Sequence, residues 1–267
     1  MSLLCKHPHK REHVTEAKAE AVAIYWCPDC GSCLESVDGR STWQSPAVAP
    51  YFGRFFDELT IAQQYGGSEL GLALTLFSLT YSLRASKVVE FGRFKGFSTL
   101  ALASALHLLD SGWMDKPDMH SRTDMDYKTY EAPKERRIWS VDPVAQPEVP
   151  ALLGRLGLEK YVNYLDCKSH EAKLPSDIDL LFVDGDHGME ACMGDVLRTE
   201  PLMRPGGLIV CHDYFGPFEL AGRNISPVRQ AIHNLRQEKF PRYLLVDTGY
   251  PSFVVFRKPD LAREEHA

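Results

Sequence analysis

Short apolar runs and longer amphipathic stretches alternate along the second half of the chain. "KVVEFG" (87–92) is a β-branched run ended by glycine, and "STLALASALHLL" (98–109) has helical spacing. "RIWSVDP", "YVNYLD", "DLLFVDGD" and "GGLIVCHD" then read as strands, separated by helices at "PALLGRLG" and near 189–203. A helix in "PVRQAIHNLRQ" and two closely spaced strands, "YLLVDTG" and "SFVVFRK", complete the series. Strand–helix alternation predicts an α/β fold with a doubly wound, mostly parallel seven-stranded sheet, and the last two strands form an antiparallel edge hairpin. Upstream, Phe52, Phe55, Phe56 and Leu59, then Leu70, Leu74 and Phe77, predict two helices broken by "YGGSE".

Two stretches break this rhythm. Residues 110–137 are a long polar insertion of the kind used for lids and partner sites. Residues 1–45 are rich in cysteine, histidine and charge and end in the loop-like "SVDGRSTWQSPAVAP". The expected organisation is a Cys/His segment (1–45), N-terminal helices (46–85), a main domain (86–259) and a short tail (260–267).

Composition narrows the function classes. A hydrophobic fraction of 44% with 25% charged residues is that of a globular protein. A net charge of -6 and a pI near 5.9 give no footprint for nucleic acid or an anionic membrane, so small-molecule partners are expected. No apolar stretch is long enough to span a bilayer and the N-terminus has no signal-like h-region, which points to the cytoplasm. A homo-oligomer is compatible with the sequence, which does not set the oligomeric state. The seven cysteines are then thiols or metal ligands. "YWCPDCGSC" has the two-residue spacing of a metal knuckle, and "CKHPH" lies upstream. A structural zinc on Cys5, His7 (or His9), Cys27 and Cys30 is the expectation, against reduced surface thiols or a redox pair.

Chemistry gathers at strand ends. In "VVEFGRFKGFSTL", Glu90 is followed by Gly92 and Gly96 and then by Ser98 at a helix start. A P-loop would need Gly-Lys-Ser/Thr, and a dinucleotide loop a third glycine; neither is present. An acid beside the glycines suits a ligand with a positive end, and Asp142, ending the next strand, suits a ribose diol. Asp184 in "VDGDH" and His212–Asp213 in "VCHD" converge if their strands are neighbours, which is how a divalent metal site is built. His187 would sit over that site as a general base. The alternative is structural: an Asp-Gly-Asp turn capping a helix and a His–Asp pair bonded into a loop.

These motifs, in this order over residues 85–258, resemble the class I S-adenosylmethionine (SAM)-dependent methyltransferases. "EFGRFKGFS", "VDGDH" and "PGGLIVCHDY" are most similar to the metal-dependent small-molecule and sugar O-methyltransferases, a group that includes cephalosporin-hydroxylase-like proteins. The resemblance implies SAM contacts at Glu90, Gly92, Gly96, Ser98 and Asp142, with Ser169 near the adenine. It implies a divalent ion, magnesium or manganese, at Asp184, His212 and Asp213, and a small-molecule or sugar hydroxyl as acceptor. His212 stands where relatives usually place oxygen ligands, so it either faces away from the ion or tilts the preference toward an imidazole-tolerant metal. Tyr214 is expected to line the acceptor pocket or to be an ordinary half-buried tyrosine. A non-catalytic SAM-binding scaffold and a component of a hydroxylase system are the competing functions.

Overall fold

A computed structural model of the protein describes residues 11–17, 20–26, 33–37, 40–43, 70–111, 135–215, 226–240, 242–246 and 252–259. The chain divides into two compact units, residues 1–61 and 62–267.

Among its described residues, the first unit holds four antiparallel strands, β1 (Arg11–Ala17), β2 (Glu20–Trp26), β3 (Cys33–Val37) and β4 (Arg40–Trp43), in the order β1-β2-β3-β4. Alternation in "EHVTEA" and "EAVAIYW" is strand-like, a signal the reading of this segment as a Cys/His appendage passed over. Cys5, His7, His9, Cys27 and Cys30 lie outside the described residues.

The second unit contains the expected sheet. β5 (Lys87–Phe91), β6 (Arg137–Val141), β7 (Val162–Leu165), β8 (Ile178–Val183), β9 (Met203–His212), β10 (Tyr243–Val246) and β11 (Phe253–Arg257) run in the order β10-β11-β9-β8-β5-β6-β7. β5 to β9 are parallel where they pair, and β11 is antiparallel to both β9 and β10. From β5 the chain winds outward to β6 and β7, then returns to β8 on the other side of β5. Strand order reverses there, which opens a crevice at the carboxyl ends of the strands.

Among the described residues, five helices, α1 (Leu70–Ser82), α2 (Phe97–Asp110), α3 (Glu148–Arg155), α4 (Met189–Thr199) and α5 (Pro227–Glu238), accompany the sheet. β8 is buried along its whole length, as its continuous apolar run requires. α2 is nearly all buried because its small and aliphatic residues meet the sheet and α1 together. α5 starts at Ser226, whose hydroxyl accepts from the Arg229 N–H, with Pro227 in the first turn. The helix expected to reach residue 203 stops at Thr199: Pro201 follows in a 3-10 turn, and β9 begins at Met203. The first of the two upstream helices, most of the 110–137 insertion and the 216–225 loop lie outside the described residues.

Two buried ionic anchors hold the amino-terminal edge of the sheet. Asp179 accepts from the backbone N–H groups of Ser86 and Lys87, at 2.7 and 2.9 Å, and pairs with Arg204, tying the starts of β5, β8 and β9. Arg136 donates to Asp110 at 2.8 Å and to the carbonyls of Arg84 and Ala85, closing the neck of the insertion.

Candidate active-site cleft

Gly92 sets the geometry of the cleft. It leaves β5 at φ +90°, and a Cβ there would lie 2.5 Å from the Asp184 carbonyl carbon and 2.8 Å from Gly185 N. Only glycine lets the β5 and β8 ends close this tightly; Asp184 N–H donates to the Phe91 carbonyl at 2.8 Å, and Gly92 N–H to that of Val141 at 2.9 Å. Asp142, at the end of β6, accepts from the N–H groups of Arg93 (3.1 Å) and Phe94 (2.9 Å) on one oxygen and from Val144 N–H (2.9 Å) on the other. The carboxylate predicted to meet a ribose therefore also pins the glycine turn in place.

The Arg93 side chain reinforces that pinning from below. Buried, it donates to the Ser140 carbonyl at 2.9 Å, pairs with Asp166 and lies 5.2 Å from the Tyr164 ring centroid. Burial and the neighbouring carboxylates, opposed by Arg93, push the Tyr164 phenol up to about 12.

The resulting cleft has a volume of about 770 Å³ and is lined by Gly92, Phe94, Asp142, Ser169, Asp184 and His187, among others. This is the size range of a cofactor pocket. The expected cofactor residues divide into two groups. Gly92, Asp142 and Ser169 face the cleft, and Ser169 also hydrogen-bonds Asp195. Glu90, Gly96 and Ser98 stand behind it: Glu90 is fully buried and accepts hydroxyl hydrogen bonds from Ser98 (2.6 Å), Thr99 (2.7 Å) and Ser140 (2.5 Å). Burial raises its pKa, and the three hydroxyls work in the opposite direction. Here Glu90 ties β5, β6 and the start of α2 together. Gly96, at φ +80°, meets the Val149 side chain of α3.

Sequence reasoning did not single out Phe94, Lys168, Asp195 or Arg198, which also line the cleft. Phe94 was inside the quoted motif, and its exposed ring (54%) on a left-handed backbone (φ 40°) marks it as a wall residue. Asp195 and Arg198 are one turn apart on α4, and nothing in their local sequence says which face of that helix meets the cleft. Tyr214 does not line the cleft; it is buried (4% exposed) against Phe215.

Beside the cleft, Asp184, His212 and Asp213 come together as expected, with a ligand atom of each within 4.8 Å of the others. His212 is buried, and its Nδ1 lies 2.9 Å from Asp184 Oδ1 and 3.5 Å from Asp213 Oδ1. His187 Nδ1 lies 2.6 Å from Asp213 Oδ2, so one carboxylate serves both imidazoles through different oxygens. Asp213 adopts φ 57°, a left-handed conformation that Asp tolerates. Burial raises the Asp184 pKa against the His212 hydrogen bond. Burial would also raise Asp213, but His187 and His212 outweigh it and hold that carboxyl low. The Asp213 hydrogen bond raises His187 against desolvation. Two carboxylates and one imidazole at the ends of neighbouring strands, this close together, fit a divalent cation. Asp186 accepts from Gly188 N–H at 2.8 Å and supports the turn into α4.

Among the described residues no helix is long and apolar enough to cross a membrane. No curated protein matches the chain in sequence. Solved structures share its fold. The O-methyltransferase of Streptomyces achromogenes involved in tomaymycin synthesis, in complex with SAM, is 14% identical over 77% of this chain and 89% of that one, with a TM-score of 0.54. The O-methyltransferase of Bacillus cereus in complex with SAH is 15% identical over 77% and 90%, with a TM-score of 0.54. A SAM-dependent O-methyltransferase of Thermotoga maritima is 11% identical over 85% and 77%, also at 0.54. Residues 89–214, which carry β5 to β9 and the whole cleft, match the family model for a methyltransferase domain. The likeness to these structures is one of fold, and the family-model match covers the segment that carries the cleft.

Proposed function

We propose that the protein is a SAM-dependent O-methyltransferase, assisted by a divalent metal, that methylates a hydroxyl of a small molecule or sugar. The observation that carries this reading is the placement of the His187–Asp213 pair and the Asp184–His212–Asp213 cluster on the rim of a cofactor-sized cleft. Gly92 offers close backbone approach, Asp142 keeps one lone-pair site on the oxygen that accepts from Val144 for a diol hydroxyl, and Ser169 lines the cleft. SAM supplies the methyl group. A metal held by Asp184, His212 and Asp213 supplies Lewis acidity that lowers the acceptor hydroxyl's pKa.

The protein's own part is proton removal and positioning. Asp213 fixes the His187 ring through Nδ1, leaving Nε2 as the atom that takes the hydroxyl proton. The same hydrogen bond strengthens the base. At 58% side-chain exposure, His187 can meet an acceptor from solvent without rearrangement.

Calorimetric titration with SAM and SAH, followed by mass-spectrometric screening of hydroxyl compounds with and without a chelator, tests the proposal. Binding of both nucleosides and metal-dependent methylation are expected. No nucleoside binding refutes the reading. Nucleoside binding without turnover on any acceptor, unchanged by His187→Ala, favours a binding scaffold.

A further inference from the structure

The face that α4 turns to the cleft has a composition that packing alone does not explain. Ala191, Gly194, Asp195 and Arg198 all line the cleft, at the spacings of a single helical face. Gly194 sits inside the helix, where glycine is destabilising, yet a Cβ there would meet nothing within 4 Å. With Ala191 it leaves a flat strip of backbone open to the cleft. Asp195, beside that strip, is buried and accepts the hydroxyl hydrogen bond of Ser169, which comes from the 3-10 turn Ser169–Glu171 after β7. Its Oδ1 lies 3.7 Å from Arg198 Nη2, and the Arg198 guanidinium carbon lies 5.3 Å from the Phe91 ring centroid, so the carboxylate has a held cation at its side. With its proton committed to Asp195, the Ser169 oxygen has only lone pairs left, and so has the carboxylate. The polar edge that Asp195 and Ser169 present is thus made of acceptors.

We propose that Asp195 selects the base of the cofactor, accepting from the exocyclic amine of an adenine ring that lies along the Ala191–Gly194 strip. This rests on the reading of the cleft as a SAM site and adds to it a residue that tells adenine from an oxo-purine. The adenine amine donates two hydrogens, which matches an edge of acceptors. An oxo-purine sets a carbonyl oxygen there instead, so acceptor faces acceptor and a buried carboxylate loses its donor. The glycine has its use in the same picture, since a planar ring packs closest where no Cβ stands. His187 lies just before α4 and Asp195 six residues beyond its first residue Met189, about 9 Å along the axis. Proton removal and base selection are therefore both referred to one helix.

The test is calorimetric titration of the full-length protein with SAH and with S-inosyl-L-homocysteine, which carries an oxo group in place of the amine. Wild type is expected to bind SAH about 10²-fold tighter or more. Asp195→Asn, which keeps the shape but can donate as well as accept, should shrink that preference to about tenfold or less. Glu190→Gln, the same change at an exposed acid of the same helix, should leave the preference intact. Gly194→Val should weaken both nucleosides alike by filling the strip. Wild-type affinities within about threefold of each other would overturn the assignment, and that readout needs no variant to fold. A preference unchanged by Asp195→Asn, or SAH affinity unchanged by Gly194→Val, would also overturn it. SAH bound without preference removes this assignment and leaves the methyltransferase reading standing; binding of neither nucleoside removes both.

Discussion

Replacing Gly92 with alanine tests whether the closeness of β5 and β8 is what builds the cleft. The substitution imposes two separate costs. Alanine at φ +90° is strained by roughly 1–2 kcal/mol. Its Cβ also collides with Asp184 and Gly185 backbone, which cannot swing aside as a side chain can, for about 1–3 kcal/mol more. The reduced entropy of the unfolded chain returns about 0.4–1 kcal/mol. The net loss is therefore about 1–4.6 kcal/mol, or a fall in Tm of about 2–18 °C for a unit of this size. Gly157 is the control: it has φ +68° with nothing within 4 Å of its would-be Cβ, so Gly157→Ala carries the strain without the collision. Scanning calorimetry of the two variants separates the terms. Gly92→Ala should melt below Gly157→Ala and lose SAM affinity, because separating the strand ends displaces Asp184 and frees the turn held by Asp142. Equal melting temperatures for the two variants, or an unaltered Gly92→Ala, would refute this account of the cleft.

Further outcomes are expected of other residues. His187→Ala should lower kcat by about 10²–10⁴-fold while calorimetric SAM binding stays within a factor of a few, as befits a proton acceptor. Glu90→Gln sets an amide N–H₂ against one of three hydroxyl donors and should cost about 1–3 kcal/mol near neutral pH. Because burial raises the Glu90 pKa, its contribution to stability is complete below 4.5 and declines as pH climbs through the raised value. A Tm–pH series should accordingly be flatter above pH 4.5 in Glu90→Gln than in wild type. His212→Asp exchanges imidazole for hard oxygen, so titrations with Mn²⁺ and Mg²⁺ should show the ratio of affinities moving toward magnesium.

The main sheet was legible because β8 and the second half of β9 carry near-continuous apolar runs, the composition of strands buried on both faces. The meeting of Asp184, His212 and Asp213 was legible because these residues end such runs, so it needed only that β8 and β9 be neighbours. Glu90 shows where reading stopped. Whether an acid at a strand end points into the crevice or back under it depends on hydroxyl partners as distant in sequence as Ser140, which local pattern does not reveal. Asp195 and Arg198 were hidden because α4 presents a face to the cleft as well as to the core. In the N-terminal unit, cysteine spacing drew attention away from modest β-alternation that proved to form strands.

The Arg136–Asp110 anchor bears on what the polar insertion is for. Its two feet stand at the end of α2 and the start of β6, the edge of the sheet where strands begin. Asp142 and the cleft lie at the other end of β6, five residues or about 17 Å away. With both feet clamped, lengthening the stretch between them costs only about 0.6 kcal/mol per doubling. The two ends of the insertion are thus fastened at the floor of the domain, at the opposite end of the sheet from Phe94, Asp142 and His187.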